Sequence, residues 1–219
     1  MPYIMKYILL IFMSAVIIAA WIVEPPQSQL GSVSRIFYFH VPAALISVLA
    51  FGFALYNSIA YLKTNEIKYD FRSASSVELG LMFCILATVS GAVFAKAAWG
   101  AYWNWDPRQT SIFILILIYG AYLALRSALD NEERRASLSA VYAILAFVTV
   151  PFLVFIVPRI YPSLHPEDTI VGSGGEMQLT GMVAVIFWIS MVCFAIMFYW
   201  LYSLQSRIEL IVRKRLKEI

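Results

Sequence analysis

Charged residues cluster along this chain and leave six uncharged windows: Tyr7–Val23, Ile36–Leu62, Leu79–Ala95, Gln109–Leu125, Ala136–Pro158 and Met177–Ser206. They hold 17, 27, 17, 17, 23 and 30 residues. A hydrocarbon core about 30 Å thick is crossed by roughly 17 to 25 apolar helical residues, so each window predicts one span. The six together take up 131 of 219 residues, which leaves no room for a soluble domain. No internal repeat divides the chain into transporter-like halves. The expectation is an all-α polytopic membrane protein, a single six-helix bundle over 1–219 with both termini on one side.

Composition agrees, with 62% hydrophobic residues, 13% charged and a mean hydropathy of +0.79. A water-soluble domain carries about 25% charged residues, so a soluble enzyme and a disordered tail are excluded. A nucleic-acid-binding domain needs a basic face for phosphate contacts, and the net charge is only +3. The Lys/Arg count sets the orientation. Twelve basic residues, from Lys6 to Lys217, lie on the side of the termini, and four, Arg35, Lys96, Arg108 and Arg159, on the other. By the positive-inside rule the termini are cytoplasmic, and the loops at about 24–35, 96–108 and 159–176 face out of a cytoplasmic (inner) membrane. The first window lacks an A-x-A-like site before Glu24 and carries the bulky Trp21, which fits a retained anchor better than a signal peptide.

Cys84 and Cys193 each fall inside a predicted span, and the chain has no C-x-x-C or C-x-x-C-H. A disulfide scaffold, a cysteine zinc site and covalent c-type haem attachment are therefore not expected. Gly172-Ser173-Gly174-Gly175 is not a P-loop, because no Gly-Lys-Ser/Thr follows it.

The unusual residues all fall on the outer side. His40 lies about one turn into the second span, and His165 lies in the last outer loop. An imidazole inside a span marks a functional site by default, and Pro42 nearby weakens the helix and can aim the ring into a cavity. The bland readings are a hydrogen bond to a carbonyl or headgroup for His40 and simple solvation for His165. Trp99, Tyr102, Trp103 and Trp105 crowd the connection at 99–108, whereas an interfacial belt scatters its rings around the bundle. Such a platform suits a large planar amphipathic ligand. Asp106-Pro107-Arg108-Gln109 reads as an N-cap, Pro at N1 and a box-closing Gln, with the fourth helix starting near Pro107. Arg108 in the first turn opposes the helix dipole, which an anionic partner offsets. Haem satisfies every element: imidazole ligands, aromatic surface, and Arg35 and Arg108 for two propionates. Zinc needs a third or fourth protein ligand, which Glu167 or Asp168 would have to supply.

At these residues the sequence resembles the CcmC family of the CcmC/CcmF/CcsA haem-handling superfamily. The stretch from Trp99 to Arg108 is similar to the superfamily's tryptophan-rich WWD signature. Tyr38-Phe39-His40-Val41-Pro42 resembles the histidine-bearing start of the second span, and Leu164-His165 fits the second histidine. The resemblance implies that His40 and His165 are axial ligands of a non-covalent haem b, with Trp99, Tyr102, Trp103, Trp105 and Asp106 against the ring. It implies propionate contacts from Arg35 and Arg108. It also implies delivery of haem to a CcmE-like chaperone for cytochrome c maturation, beside CcmA-like and CcmB-like ABC subunits and a small CcmD-like protein, without enzymatic catalysis. Pro107 and Gln109 are nearer the CcsA and CcmF branches, so a short CcsA-type subunit of a haem ligation complex is the neighbouring reading.

Two other classes compete. A quinone-linked membrane cytochrome b usually pairs histidines on facing helices at mid-membrane depth, and this chain has one helical histidine. A cofactor-free transporter needs intramembrane charge or broken helices in matching halves. Glu78 and Glu176, at window edges, read as helix starts with an acid near the dipole. The basic tail at 207–219 reads as lying on anionic lipid headgroups.

Overall fold

The computed structural model describes residues 3–25, 31–165 and 179–218, and among these there is no β-strand. The long helices are α1 (Tyr3–Ile22), α2 (Phe37–Thr64), α3 (Ile67–Trp99), α4 (Pro107–Ser127), α5 (Glu132–Pro151) and α7 (Gly181–Glu218). A 3-10 turn, Gly31–Ile36, leads into α2. After α5 the chain continues through a π turn, Phe152–Ile156, into the short α6, Val157–Ile160. Among the described residues six helical stretches are long and apolar enough to cross a membrane, as the uncharged windows predicted.

Helices α2 and α3 pack along their lengths at the centre, with α4, α5 and α7 around them and α1 against α7. Lys6 of α1 lies over the Trp200 ring of α7, so the start of the chain and the far part of α7 share one end of the bundle. The opposite end carries the start of α2, the end of α3, the start of α4 and α6. In the core, Phe51 of α2 and Tyr119 of α4 stack face to face with centroids 3.6 Å apart.

Several boundaries depart from the sequence expectation, and in α3 the charge inside the helix is tolerated because it is paired. A loop at 63–78 was expected, but Asn65 and Glu66 alone connect α2 to α3, with Asn65 in the left-handed conformation that ends α2. Lys68, Asp70, Arg72 and Glu78 are all helical. Asp70 is 2% exposed and takes a bidentate pair from Arg126 of α4 at 2.5 and 3.0 Å. Glu78 is no helix start: it lies eleven residues into α3 and accepts from the Gln205 amide of α7. The tail from Arg207 to Glu218 continues α7 instead of leaving it.

Pro42 does not break α2. It has no N–H for the Tyr38 carbonyl, and the buried Ser190 hydroxyl of α7 donates to that oxygen at 2.6 Å. Pro151 and Pro158 bracket the π turn, and the Arg159 guanidinium donates to the Phe155 carbonyl within it at 2.6 Å.

Candidate functional site

Helix α3 ends because Gly100 adopts φ +82°, a left-handed C-cap whose N–H returns to the Lys96 carbonyl. The Lys96 ammonium donates to the Gly100 carbonyl at 2.8 Å and lies over the Tyr102 ring. Tyr102, 61% exposed, is thus held by a cation on the rim. The loop then folds on itself, with the Asn104 amide donating to the Ala101 carbonyl at 3.0 Å. Asp106 caps α4 as expected, accepting from the Arg108 N–H at 2.9 Å with Pro107 at N1. The capping box is not formed. The Gln109 side chain accepts instead from the Asn104 N–H at 2.8 Å, because the loop doubles back over the helix start.

Asp106 does far more than cap. Only 3% exposed, it also accepts from the Ser163 hydroxyl at 2.9 Å, the Leu164 N–H at 2.6 Å and His165 Nδ1 at 2.9 Å. Burial works against its charge, but the donors at Leu164, Arg108 and Ser163 outweigh it and hold the carboxyl below its ordinary pKa. Burial is also the main influence on His165, and together with the Arg108 charge it keeps the imidazole below the ordinary histidine pKa despite the opposing pull of Asp106. The lowered pKa favours the neutral ring. A carboxylate only accepts, so Nδ1 carries the proton and Nε2 keeps its lone pair.

His40 reaches the same state by another route. Its Nδ1 lies 3.1 Å from the Ser90 hydroxyl of α3, which has one proton and carbonyl acceptors at Leu86 and Ala87, 2.8 and 3.1 Å away. With that proton on a carbonyl, Ser90 accepts from Nδ1–H and Nε2 keeps the lone pair. Gly91 makes the approach possible: a Cβ there would lie 2.8 Å from His40 Cε1. The two imidazoles are near enough for their charges to repel if both were protonated.

The tryptophans divide into two groups. Trp99 meets His165 edge to face at 4.8 Å and Phe94 at 5.8 Å. Trp103 bridges Trp105 and Phe113 at 5.9 and 6.0 Å. Trp105 is 72% exposed with φ +56°, a left-handed conformation that strains a bulky residue and is typical of functional sites. Of the two arginines, Arg108 lies beside Asp106 within electrostatic reach of His165. Arg35 stands apart: it pairs with Glu24 at 2.7 Å and lies over the Trp21 ring. Glu167, Asp168, Gly172 to Gly175 and Glu176 lie outside the described residues. Among the described residues no three His, Cys, Asp or Glu side chains gather as a metal cluster.

Sequence reasoning missed Ser90, Gly91 and Ser163. The one available signal was a Ser-Gly pair inside an otherwise apolar window. The Asp106–His165 contact had none, since the two are 59 residues apart.

A profile described as "CcmC: Heme exporter protein C" matches residues 1–219. The chain belongs to the CcmC family. It is 28% identical over 195 residues to Heme exporter protein C of Bradyrhizobium diazoefficiens, covering 89% of this chain and 73% of that one. Heme exporter protein C of Paracoccus denitrificans is 28% identical over 192 residues, covering 88% of this chain and 79% of that one. Cytochrome c biogenesis protein CcsA of Cuscuta reflexa is 38% identical, but over 109 residues, 49% of this chain and 34% of that one. Membership of the CcmC family thus rests on the whole chain, and the likeness to CcsA on half of it.

Proposed function

We propose that this chain is a haem-delivery protein of cytochrome c maturation, which holds non-covalent haem b between His40 and His165 against the tryptophan loop. The observation that carries the reading is that each imidazole has Nδ1 within hydrogen-bonding distance of a protein oxygen, Ser90 or Asp106, a pairing that leaves Nε2 as the lone-pair donor when Nδ1 carries the proton. That is the arrangement a metal-ligating histidine requires. Trp99, Trp103, Trp105 and Tyr102 supply apolar surface for the macrocycle, and Arg108 a cation for a propionate. Arg35 serves the other propionate only by exchanging Glu24 for it. Haem is cargo here, and the part of the protein is to hold and release it.

The excess of basic residues at the end of the bundle with the termini supports a cytoplasmic location for that end and an extracytoplasmic haem site in the inner membrane. The acceptor is a CcmE-like chaperone, with CcmA-like, CcmB-like and CcmD-like subunits as neighbours. The whole-chain family match favours this over a short CcsA-type ligation subunit. The test is an absorbance spectrum of the purified protein. A Soret band is expected in the wild type and its loss in the His40→Ala/His165→Ala variant; unchanged haem content in that variant would sink the reading. Co-purification of a haem chaperone, and not of an apocytochrome, identifies the acceptor.

A further inference from the structure

The two histidines share a tautomer but have partners of very different strength. His165 donates to a carboxylate, and that carboxylate is fixed by three further donors, Arg108 N–H, Leu164 N–H and the Ser163 hydroxyl. The Trp99 ring abuts the imidazole edge to face. His40 donates to a neutral hydroxyl whose own proton goes to an α3 carbonyl. Beyond that, only the absence of a side chain at Gly91 makes room for its ring. Hydrogen bonds to ionised acceptors are roughly twice as strong as neutral ones. An anionic acceptor on Nδ1–H also pushes electron density towards Nε2 and raises its basicity as a ligand.

Building on the haem reading above, we propose that Asp106 and Ser90 are positioning residues that make the two axial ligands unequal. His165 is the firm ligand and His40 the releasable one, so handover begins at His40. The order follows from ligand strength. The nitrogen with the less basic lone pair yields its place first to an incoming ligand of the acceptor, while His165 keeps haem on the loop until the acceptor has a bond of its own. The exchange is a substitution at iron with no change of oxidation state: one Fe–N bond breaks and one bond to the acceptor's ligand forms.

The test uses the full chain in detergent, loaded with hemin, with excess apomyoglobin as haem scavenger. His40→Gly is expected to retain haem as a five-coordinate species that added imidazole returns to six-coordinate. His165→Gly is expected to lose most of its haem. Asp106→Asn keeps an oxygen for the N-cap but removes the charge and one of the two acceptor oxygens, so a thermal melt beside the haem measurements separates positioning from folding. The substitution should speed haem loss roughly tenfold and raise the midpoint potential of the haem that stays bound, a shift that a lowered melting temperature alone would not produce. Ser90→Ala should change the rate by no more than about twofold and leave the potential in place. Equal haem retention by the two single-histidine variants would overturn the proposal, as would wild-type loss rate and potential in Asp106→Asn. Failure of the haem reading itself is distinguishable, because the wild type would then bind no more hemin than His40→Gly/His165→Gly.

Discussion

Two buried aspartates lie at opposite ends of this bundle, Asp70 at 2% exposure and Asp106 at 3%. Asp70 meets a guanidinium in a bidentate pair, so its charge is cancelled where it stands and nothing is left to act on a third group. Asp106 meets two backbone N–H groups, one hydroxyl and one imidazole, all neutral donors. Its negative charge is held by these neutral donors, and it remains able to polarise His165. Equal burial thus yields a bolt between α3 and α4 in one case and an electrostatic handle on an imidazole in the other. The nature of the donors makes the difference.

The comparison breaks first where the bolt is cut. Arg126→Leu leaves Asp70 buried without a counter-charge, and the expected loss is about 3–5 kcal/mol of stability, read as a lower melting temperature in detergent. Asp70→Leu/Arg126→Leu should recover most of that loss, because a buried pair replaced by apolar groups is often neutral. If the double variant is as unstable as the single one, the pair contributes more than mutual compensation.

At the other end, Asp106→Ala is expected to cost about 1 kcal/mol of stability through the lost cap and more through the Leu164, Ser163 and His165 donors left unpaired, and to weaken haem binding by roughly 10- to 100-fold. A hemin titration beside a thermal melt checks both. Equal damage by these measures would make Asp106 a second bolt. Gly91→Ala sharpens the contrast further. Alanine favours the helix by up to about 1 kcal/mol, so the melt should hold or rise, while the displaced His40 ring weakens the Soret band. The smallest effect is expected for Trp105→Gly. Relief of the left-handed conformation offsets the lost packing within about 1 kcal/mol, and hemin affinity falls modestly.

Much of this was legible in the chain. Six uncharged windows predicted six spans, and the structure has six helices to match. Asp106-Pro107 predicted a capped start for α4, and the cap is there. These are local properties: hydropathy over some twenty residues, and a side chain bonding a backbone N–H two positions on. Where the reading failed, a distant partner was responsible. The loop expected at 63–78 is helix because Arg126, 56 residues beyond Asp70, neutralises its charge. Gln109 does not close a capping box because the loop folds back to offer the Asn104 N–H.

The sequence by itself determined that the chain is helical, with six stretches long and apolar enough to cross a membrane, and that both histidines and the tryptophan loop share one end. Those features follow from the cost of taking charge and unpaired backbone into hydrocarbon, which is additive along the chain. Only the tertiary structure decided which nitrogen of each histidine is tied and to what. Ser90 lies 50 residues from His40, and Asp106 lies 59 from His165. The rotation of α3 against α2 and the fold of one loop onto another bring these pairs within hydrogen-bonding distance. Such orientations are set by side-chain packing across the whole bundle, and no local pattern encodes them.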